Sequence, residues 1–231
     1  MTDHGRPVGA GGGAEGGRAE EVPDVGRRGG AGPQRLEALS DGVFAIAMTL
    51  LVLDVTVPAG LDDDAFHDAL LDVLPNLAAY ALSFAVIAQF WRTHRQLLEA
   101  APGVDGAITA LTLLGLALVA LLPFPTALLA EYPGQALAVA VYSATVAADN
   151  AAQVALSFAI RRRLAAEAPA SSEAAARARE VMVDSTTTAL VFGLAAPLAF
   201  VSPAAAMWSW LTLVPVNVAI GRRQRARRGG R

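Results

Sequence analysis

The 231-residue chain contains no cysteine and no lysine, and it has only three histidines. The lack of cysteine excludes disulfides, thiolate catalysis and cysteine-based metal sites. His4, His67 and His94 are scattered along the chain and do not indicate a metal cluster. No nucleophile motif or phosphate-binding loop is visible, so the sequence argues against an enzyme and indicates no cofactor.

Charge is also scarce, because only 17% of the residues are Asp, Glu or Arg, where a soluble domain usually has about 25%. The remaining charges are unevenly placed and leave long stretches almost uncharged, within a chain that is 54% hydrophobic. A bilayer core needs roughly 20 apolar residues per helix. Lipid cannot satisfy open backbone groups, so such segments must be helical. The composition therefore predicts an all-α, polytopic membrane protein.

Six apolar segments are long enough, or nearly so, to cross the bilayer. The last two meet at Ser202-Pro203, a typical turn sequence. We predict spans over Leu36–Val57, about Leu70–Trp91 with its helix continuing to Leu98, Gly106–Leu129, Gln135–Ile160, about Val181–Phe200, and Ala204–Ile220.

All eighteen basic residues are arginines, and they alternate with the predicted spans. Five precede the first span, two lie between the second and third, five between the fourth and fifth, and six follow the last. The other three loops have none. The positive-inside rule then places both termini in the cytoplasm. Since an odd number of spans would break this alternation, the arginines independently favour six.

The polar ends of the chain are predicted to lie outside the bilayer. Residues 1–33 are rich in Gly, Ala, Glu and Arg and predict a disordered cytoplasmic tail. Residues 34–221 form the six-helix transmembrane domain, and residues 222–231 form a basic cytoplasmic tail. Arginines near the membrane surface attract anionic lipid headgroups, although we favour a role in fixing topology. We expect no nucleic-acid partner.

The first predicted span begins with polar residues, which are costly inside an apolar helix unless they are paired. Ser40 and Asp41 lie just inside it, after Arg35. Asp41 needs a partner on another helix or another subunit, and Trp91, Arg92 and His94 at the cytoplasmic end of the second span are at a suitable depth. The alternative is a simple helix cap, in which these side chains accept backbone N–H groups.

Further along the first span, Ile46, Thr49, Leu50 and Leu53 recur at helical spacing and share one face. By itself this spacing is typical of ordinary packing. In the fourth span, Asp149 lies twelve residues before Arg161, about 18 Å along the helix axis. An intramembrane carboxyl group is either a functional site or a protonated or hydrogen-bonded structural group that faces other helices, and the structural interpretation is favoured here.

The segment from Arg35 to Asp41, with Leu39-Ser40-Asp41 followed by Gly-Val-Phe-Ala-Ile-Ala-Met-Thr-Leu-Leu-Val-Leu, resembles the signature of the transmembrane protein 175 family. The family signature has Phe where this chain has Leu39. Further similarity appears in Trp91-xx-His94, and also in Tyr80-Ala-Leu-Ser-Phe84 and Leu122-Pro-Phe-Pro-Thr126. The resemblance covers residues 35–58 and 75–126.

This resemblance implies a potassium channel of the cell membrane, assembled as a homotetramer with the first helices lining a central pore. It assigns Ile46, Leu50 and Leu53 to hydrophobic constrictions and Thr49 to a ring of hydroxyls, with K⁺ as the permeant ion. It also implies that Arg35, Ser40, Asp41, Trp91 and His94 form a polar network that anchors the pore helix. The alternative function is a secondary cation transporter, coupled to protons through Asp149 or Asp41.

Overall fold

The computed structural model describes residues 31–167 and 173–211, and every regular element in these two ranges is helical. The predicted tail up to residue 30, the part of the sixth span after residue 211 and the basic tail at 222–231 lie outside the described residues. For the described residues, the prediction of an all-α membrane protein is confirmed.

Eight α-helices and one 3-10 turn make up the described chain. In order they are α1 (Ala31–Leu50), the 3-10 turn Leu51–Asp54, α2 (Asp63–Asp72), α3 (Leu74–Ala100), α4 (Gly106–Leu121), α5 (Pro123–Glu131), α6 (Ala136–Glu167), α7 (Glu173–Leu198) and α8 (Pro203–Leu211). Helix α1 begins three residues before the predicted transmembrane domain.

Four helical stretches are long and apolar enough to cross a membrane: Gln34–Leu53, Asp63–Ala100, Gly106–Glu131 and Ala175–Leu198. Helix α6 is not among them, although its 32 residues would span about 48 Å. Polar side chains such as Asp149, Asn150 and Gln153 lower its mean hydropathy. The number of six spans therefore stays a prediction.

The third predicted span, Gly106–Leu129, is interrupted rather than continuous. Pro123 has no backbone N–H and begins α5, while the Leu122 N–H bonds to the Val119 carbonyl at 3.1 Å in a tighter turn. The Thr126 hydroxyl donates to the Leu122 carbonyl at 2.8 Å. The two prolines at 123 and 125 thus divide this segment into a long helix and a short one.

The predicted loop after the first span contains a further helix, α2, which the hydropathy pattern did not indicate. The Asp62 carboxylate caps it by accepting the Ala65 N–H at 2.9 Å, and Asp63 and Asp64 follow in its first turn. Acidic groups are favourable at this end because the helix dipole is positive there. All of α2 is at least partly exposed, so its own capping stabilises it more than packing does.

Helix α6 packs against α3, α4, α5 and α7, whereas α1 packs mainly on α3 and α4. The larger hydrophobic core includes Phe44 of α1, Ile87 of α3 and an aromatic group. In that group the Tyr142 ring lies 5.3 Å from Trp210 and 6.4 Å from Phe192, centroid to centroid. This core holds α1 by one side only.

Candidate functional site: the two faces and the polar end of the first helix

Helix α1 has a buried face and an exposed face. Phe44, Ala47 and Leu51 are buried against the rest of the chain. The sequence-predicted pore residues lie on the other side: Ile46 is 60% exposed, Leu53 is 66% exposed, and Thr49 and Leu50 are exposed as well. All four therefore share a face that this chain does not cover.

The 3-10 turn keeps Leu53 in line with Leu50. In a 3-10 helix, side chains three residues apart eclipse one another. Since the turn begins directly after Leu50, the two leucines follow each other along one edge. The Thr49 hydroxyl donates to the Ile46 carbonyl at 2.9 Å, so its proton is used within the helix. The hydroxyl oxygen still has lone-pair capacity on the exposed face.

Ser40 and His94 form the inner part of the polar cluster. Both are buried, and the Ser40 Oγ lies 3.2 Å from the His94 Nε2. The Ser40 hydroxyl donates to the Leu36 carbonyl at 2.8 Å, so the His94 Nε2–H is the donor to Ser40. The Phe44 ring, 5.7 Å from the imidazole between centroids, covers this pair. The contact fixes the register of α1 against α3.

Asp41 and Trp91 form the outer part. The Trp91 Nε1–H donates to the Asp41 Oδ1 at 2.8 Å, and the Arg95 guanidinium lies over the indole at 5.8 Å. Arg95 is also paired with Glu99 at 3.0 Å. The aspartate therefore has its partner on another helix of the same chain. The alternative of a helix cap is wrong for Ser40 and Asp41, because α1 begins at Ala31 and both residues lie inside it.

Arg35 stands apart from the network in which the resemblance places it. Its side chain is exposed, and in residues 31–167 and 173–211 no hydrogen bond or ion pair joins it to Ser40, Asp41 or His94. The other four predicted members come together as two separate pairs. These pairs border a small cleft of about 70 Å³, whose lining residues are Glu37, Ser40, Asp41, Trp91, His94, Arg95, Leu98 and Glu99.

Asp149, the predicted intramembrane polar residue, lies far from this cluster in the chain and is buried to 1% exposure. Its Oδ2 accepts the Gln153 Nε2–H at 2.8 Å. The hydrogen bond supports the structural interpretation favoured from the sequence. No group of three potential metal-ligating side chains occurs among the described residues.

A chain of hydroxyls that sequence reasoning did not connect joins α5, α3 and α6. The Thr126 Oγ1 lies within hydrogen-bond distance of the Ser83 Oγ, at 2.8 Å, and the Ser83 Oγ lies 3.2 Å from the Tyr142 hydroxyl oxygen. All three side chains are buried. The sequence feature that could have indicated these contacts is the presence of isolated polar residues within otherwise apolar segments. In a membrane helix such residues generally face other helices.

The fold and this site define the class of the protein: an all-helical integral membrane protein with a polar cluster at one end of its first helix. Residues 35–123 match the family model described as endosomal/lysosomal potassium channel TMEM175. A Streptomyces collinus protein named as a potassium channel is 41% identical over 172 residues, which are 73% of this chain and 82% of that relative. The chain belongs to the TMEM175 family.

Two further comparisons agree. The crystal structure of a lysosomal potassium-selective channel TMEM175 homolog from Chamaesiphon minutus superposes with a TM-score of 0.65 at 27% identity, covering 81% of this chain and 97% of that one. A Gallus gallus relative named as an endosomal/lysosomal proton channel is 36% identical over 107 residues, 43% of this chain but 21% of the relative. The resemblance inferred from the sequence is thus confirmed.

Proposed function

We propose that this chain conducts K⁺ passively through a pore whose wall is the exposed face of α1, in a homotetramer with the first helices around the axis. The family and the bacterial relatives named as potassium channels support this function over an enzyme. The observation that carries the proposal is the face of Ile46, Thr49, Leu50 and Leu53, which is exposed along α1 while the opposite face is packed.

Several copies are needed because one chain cannot surround an ion path with α1. Helix α1 packs on α3 and α4 by one side, and its other side is free to meet the same helix of further copies. A closed ring of identical helices requires cyclic symmetry. The number four comes from the family resemblance. Chemical crosslinking and native mass spectrometry of the purified protein measure this number directly.

The apolar face suits a pore that selects by the cost of dehydration. An ion passing Ile46, Leu50 and Leu53 loses water that the alkyl groups do not replace, and K⁺ holds its water less tightly than Na⁺. The Thr49 hydroxyl oxygen provides partial replacement. Narrow apolar rings also dewet, which gates conduction. The sequence contains no Thr-Val-Gly-Tyr-Gly filter, so modest selectivity is expected.

A flux assay in proteoliposomes tests the pore wall. Ile46→Asn places an amide in the constriction, so K⁺ flux should rise several-fold and K⁺/Na⁺ selectivity should fall. Leu190→Asn on α7 is the matched control, because Leu190 is also 60% exposed and lies outside the proposed pore. Unchanged flux and selectivity in the Ile46 variant would remove this residue from the ion path.

The same assay separates the channel from the coupled transporter. A channel dissipates a K⁺ gradient when no other gradient is present, whereas a proton-coupled transporter moves K⁺ only together with protons and changes the internal pH in proportion. A pH-sensitive dye inside the vesicles reports this coupling. Proton-linked K⁺ movement at fixed stoichiometry would replace the channel with the transporter.

The proposed topology has six spans, cytoplasmic termini and a cell-membrane location, with a channel domain at residues 34–221 between the two polar tails. The one-sided arginines support it. Because the chain has no cysteine, each single introduced cysteine is unique. Cysteines at positions 60 and 134 should be labelled from outside the cell and a cysteine at 103 only from inside. Labelling of all three from one side would contradict the six-span topology.

A further inference from the structure

A carboxyl group is enclosed between α4 and α6 that the ion path does not use. Asp149 is 1% exposed, and the neighbouring Asn150 and Gln153 are also buried. The Asp149 Oδ1 faces Gly115 of α4, where an added Cβ would lie 3.8 Å from it. Because Gly115 has no side chain, the Asp149 carboxyl lies close to the α4 backbone without steric conflict.

The contacts of this carboxyl are few for an ionised group. Its single side-chain hydrogen bond in the described chain is the one from Gln153 to Oδ2 at 2.8 Å. A buried carboxylate requires a counter-ion or several N–H donors, since removing its charge from water is otherwise very costly. One neutral amide does not meet this requirement.

Of the charged and titratable groups on the described elements packed against α6, none is hydrogen-bonded to Asp149. On α3, His94 bonds to Ser40 and Arg95 pairs with Glu99. Helix α4 and the described part of α8 contain no titratable side chain. The other groups are Tyr80 and Arg92 on α3, Glu131 at the end of α5, and Arg177, Arg179, Glu180 and Asp184 on α7.

The α7 groups lie toward the far end of α6. The Arg161 Nη1–H donates to the Met182 Sδ at 3.4 Å, which sets the level of α7 beside α6. Arg161 is twelve residues beyond Asp149, about 18 Å along the axis. Arg163 of α6 pairs with Asp105. No cation therefore contacts the Asp149 carboxyl within the described residues.

Two buried oxygens near Asp149 have no hydrogen-bond partner in the described chain and can accept a hydrogen bond from a protonated carboxyl group. The Gln153 Oε1 is buried and has no hydrogen-bond partner, and the buried Thr112 Oγ1 on α4 also has none. Thr112 lies three residues before Gly115, so both belong to the same face of α4. The two ends of an amide are nearly indistinguishable by shape. When the Gln153 amide is turned, its oxygen stands where it can accept an O–H from the Asp149 carboxyl.

We propose that Asp149 is a proton-binding site in the seam between α4 and α6, and that it holds its proton at neutral pH through a hydrogen bond to Gln153. Turning the Gln153 amide converts the pair between an acid that donates O–H and a carboxylate that accepts N–H. Loss of the proton places an uncompensated charge in the seam that supports α4, and α4 in turn supports α1. The fold therefore weakens as the proton is lost.

Infrared spectroscopy of protein labelled with ¹³C-carboxyl aspartate tests the protonation state. The full chain in lipid is titrated from about pH 5 to about pH 9, a range well above the ordinary value for exposed aspartates. A carbonyl band of a protonated acid should persist at neutral pH in the wild type and in Asp64→Asn, an exposed control on α2. It should be missing from Asp149→Asn. Absence of the band in the wild type at neutral pH overturns the proposal, as does its persistence in Asp149→Asn.

A second pair of variants keeps the proposal testable if Asp149→Asn does not fold. Gly115→Ala adds an apolar methyl group at ordinary contact distance from Oδ1 and leaves less room for water to enter beside the carboxyl when its proton is lost, whereas Gly193→Ala meets nothing within 4 Å. The Gly115 variant should retain the acid band to higher pH than the Gly193 variant. Equal titration of both variants overturns the assignment of the proton to Asp149.

Discussion

Helices α1 and α6 differ in how their polar residues are distributed and in what surrounds them. Helix α1 carries no charged side chain after Asp41 and leaves a face exposed that is apolar except for Thr49, whereas α6 carries Ser, Thr, Asp, Asn and Gln along its middle and buries most of them. Yet α1 meets the hydropathy criterion for a membrane span and α6 does not. Mean hydropathy thus identifies helices that expose apolar faces. It does not identify α6 as a membrane span, because α6 carries polar residues that are buried among the other helices.

The physical reason is that a helix surrounded by other helices can satisfy polar groups that lipid cannot. Several α6 side chains bond within their own helix, as Ser157 does to the Gln153 carbonyl at 2.8 Å and Asn150 to the Val146 carbonyl at 2.9 Å. Others, such as Tyr142, reach neighbouring helices. The two helices thus differ in role: α6 organises the interior, and α1 presents the exposed face that is proposed to line the pore.

The largest effect on stability should come from the centre of α6. Tyr142→Ala removes a fully buried ring from the aromatic group with Phe192 and Trp210, so we expect a loss of roughly 3–5 kcal/mol in unfolding free energy. Tyr142→Phe keeps the ring and removes only the acceptor of the Ser83 hydroxyl, which should cost about 1 kcal/mol. Denaturant unfolding in detergent measures both. Equal losses would show that the hydroxyl chain, rather than ring packing, dominates.

An intermediate effect is expected on the packed side of α1. Ser40→Ala removes the acceptor of the His94 Nε2–H inside a buried contact, and an unsatisfied buried donor costs about 1–3 kcal/mol. Thr49→Ala is the control on the same helix, because its exposed hydroxyl bonds only to Ile46, and stability should change by less than about 0.5 kcal/mol. A larger loss in the Thr49 variant would reverse the assignment of the two faces.

Much of the helical arrangement could be predicted from the sequence, because the length of an apolar segment and the position of the arginines beside it can be found without knowing the fold. The turn at Ser202-Pro203 lies between α7 and α8, where Ser202 caps α8 by accepting the Ala205 N–H at 3.2 Å. The break at Pro123 and the capped helix α2 were missed, since hydropathy takes no account of a missing N–H or an acidic cap.

Partners across helices were harder to predict than the helices themselves. The sequence placed Asp41, Trp91 and His94 at similar depth, but depth alone did not show that Asp41 meets Trp91 while Ser40 meets His94. These pairings depend on how α1 rotates against α3, which Phe44 and the buried face determine. Arg35 matched a family motif, yet it lies five residues before Ser40, which places it about 140° away around the helix, and its side chain is on the exposed surface of this chain.

The smallest effect should appear where α6 is joined to the beginning of α4, outside the membrane segments. Asp105 accepts the Ile108 N–H at 2.8 Å and pairs with Arg163 at 3.0 Å, and the backbone hydrogen bond, followed by the Arg163 charge, holds the pKa of Asp105 below its usual value. Because the folded pKa is the lower one, this contribution is present above the unfolded value of about 3.9 and is lost as the pH falls through the folded value.

Asp105→Ala should therefore lower the thermal unfolding midpoint slightly at neutral pH, and the difference from the wild type should shrink as the solution is acidified. The pair is partly exposed to solvent, so added salt should reduce the part of the effect that comes from Arg163. Asp105→Asn keeps a side-chain acceptor for the Ile108 N–H but removes the charge. Comparing it with Asp105→Ala therefore separates the contribution of the helix cap from that of the ion pair. A difference that is independent of pH would assign the effect to helix propensity in α4 instead of to the carboxylate, and would leave the contact between α4 and α6 dependent on its buried residues alone.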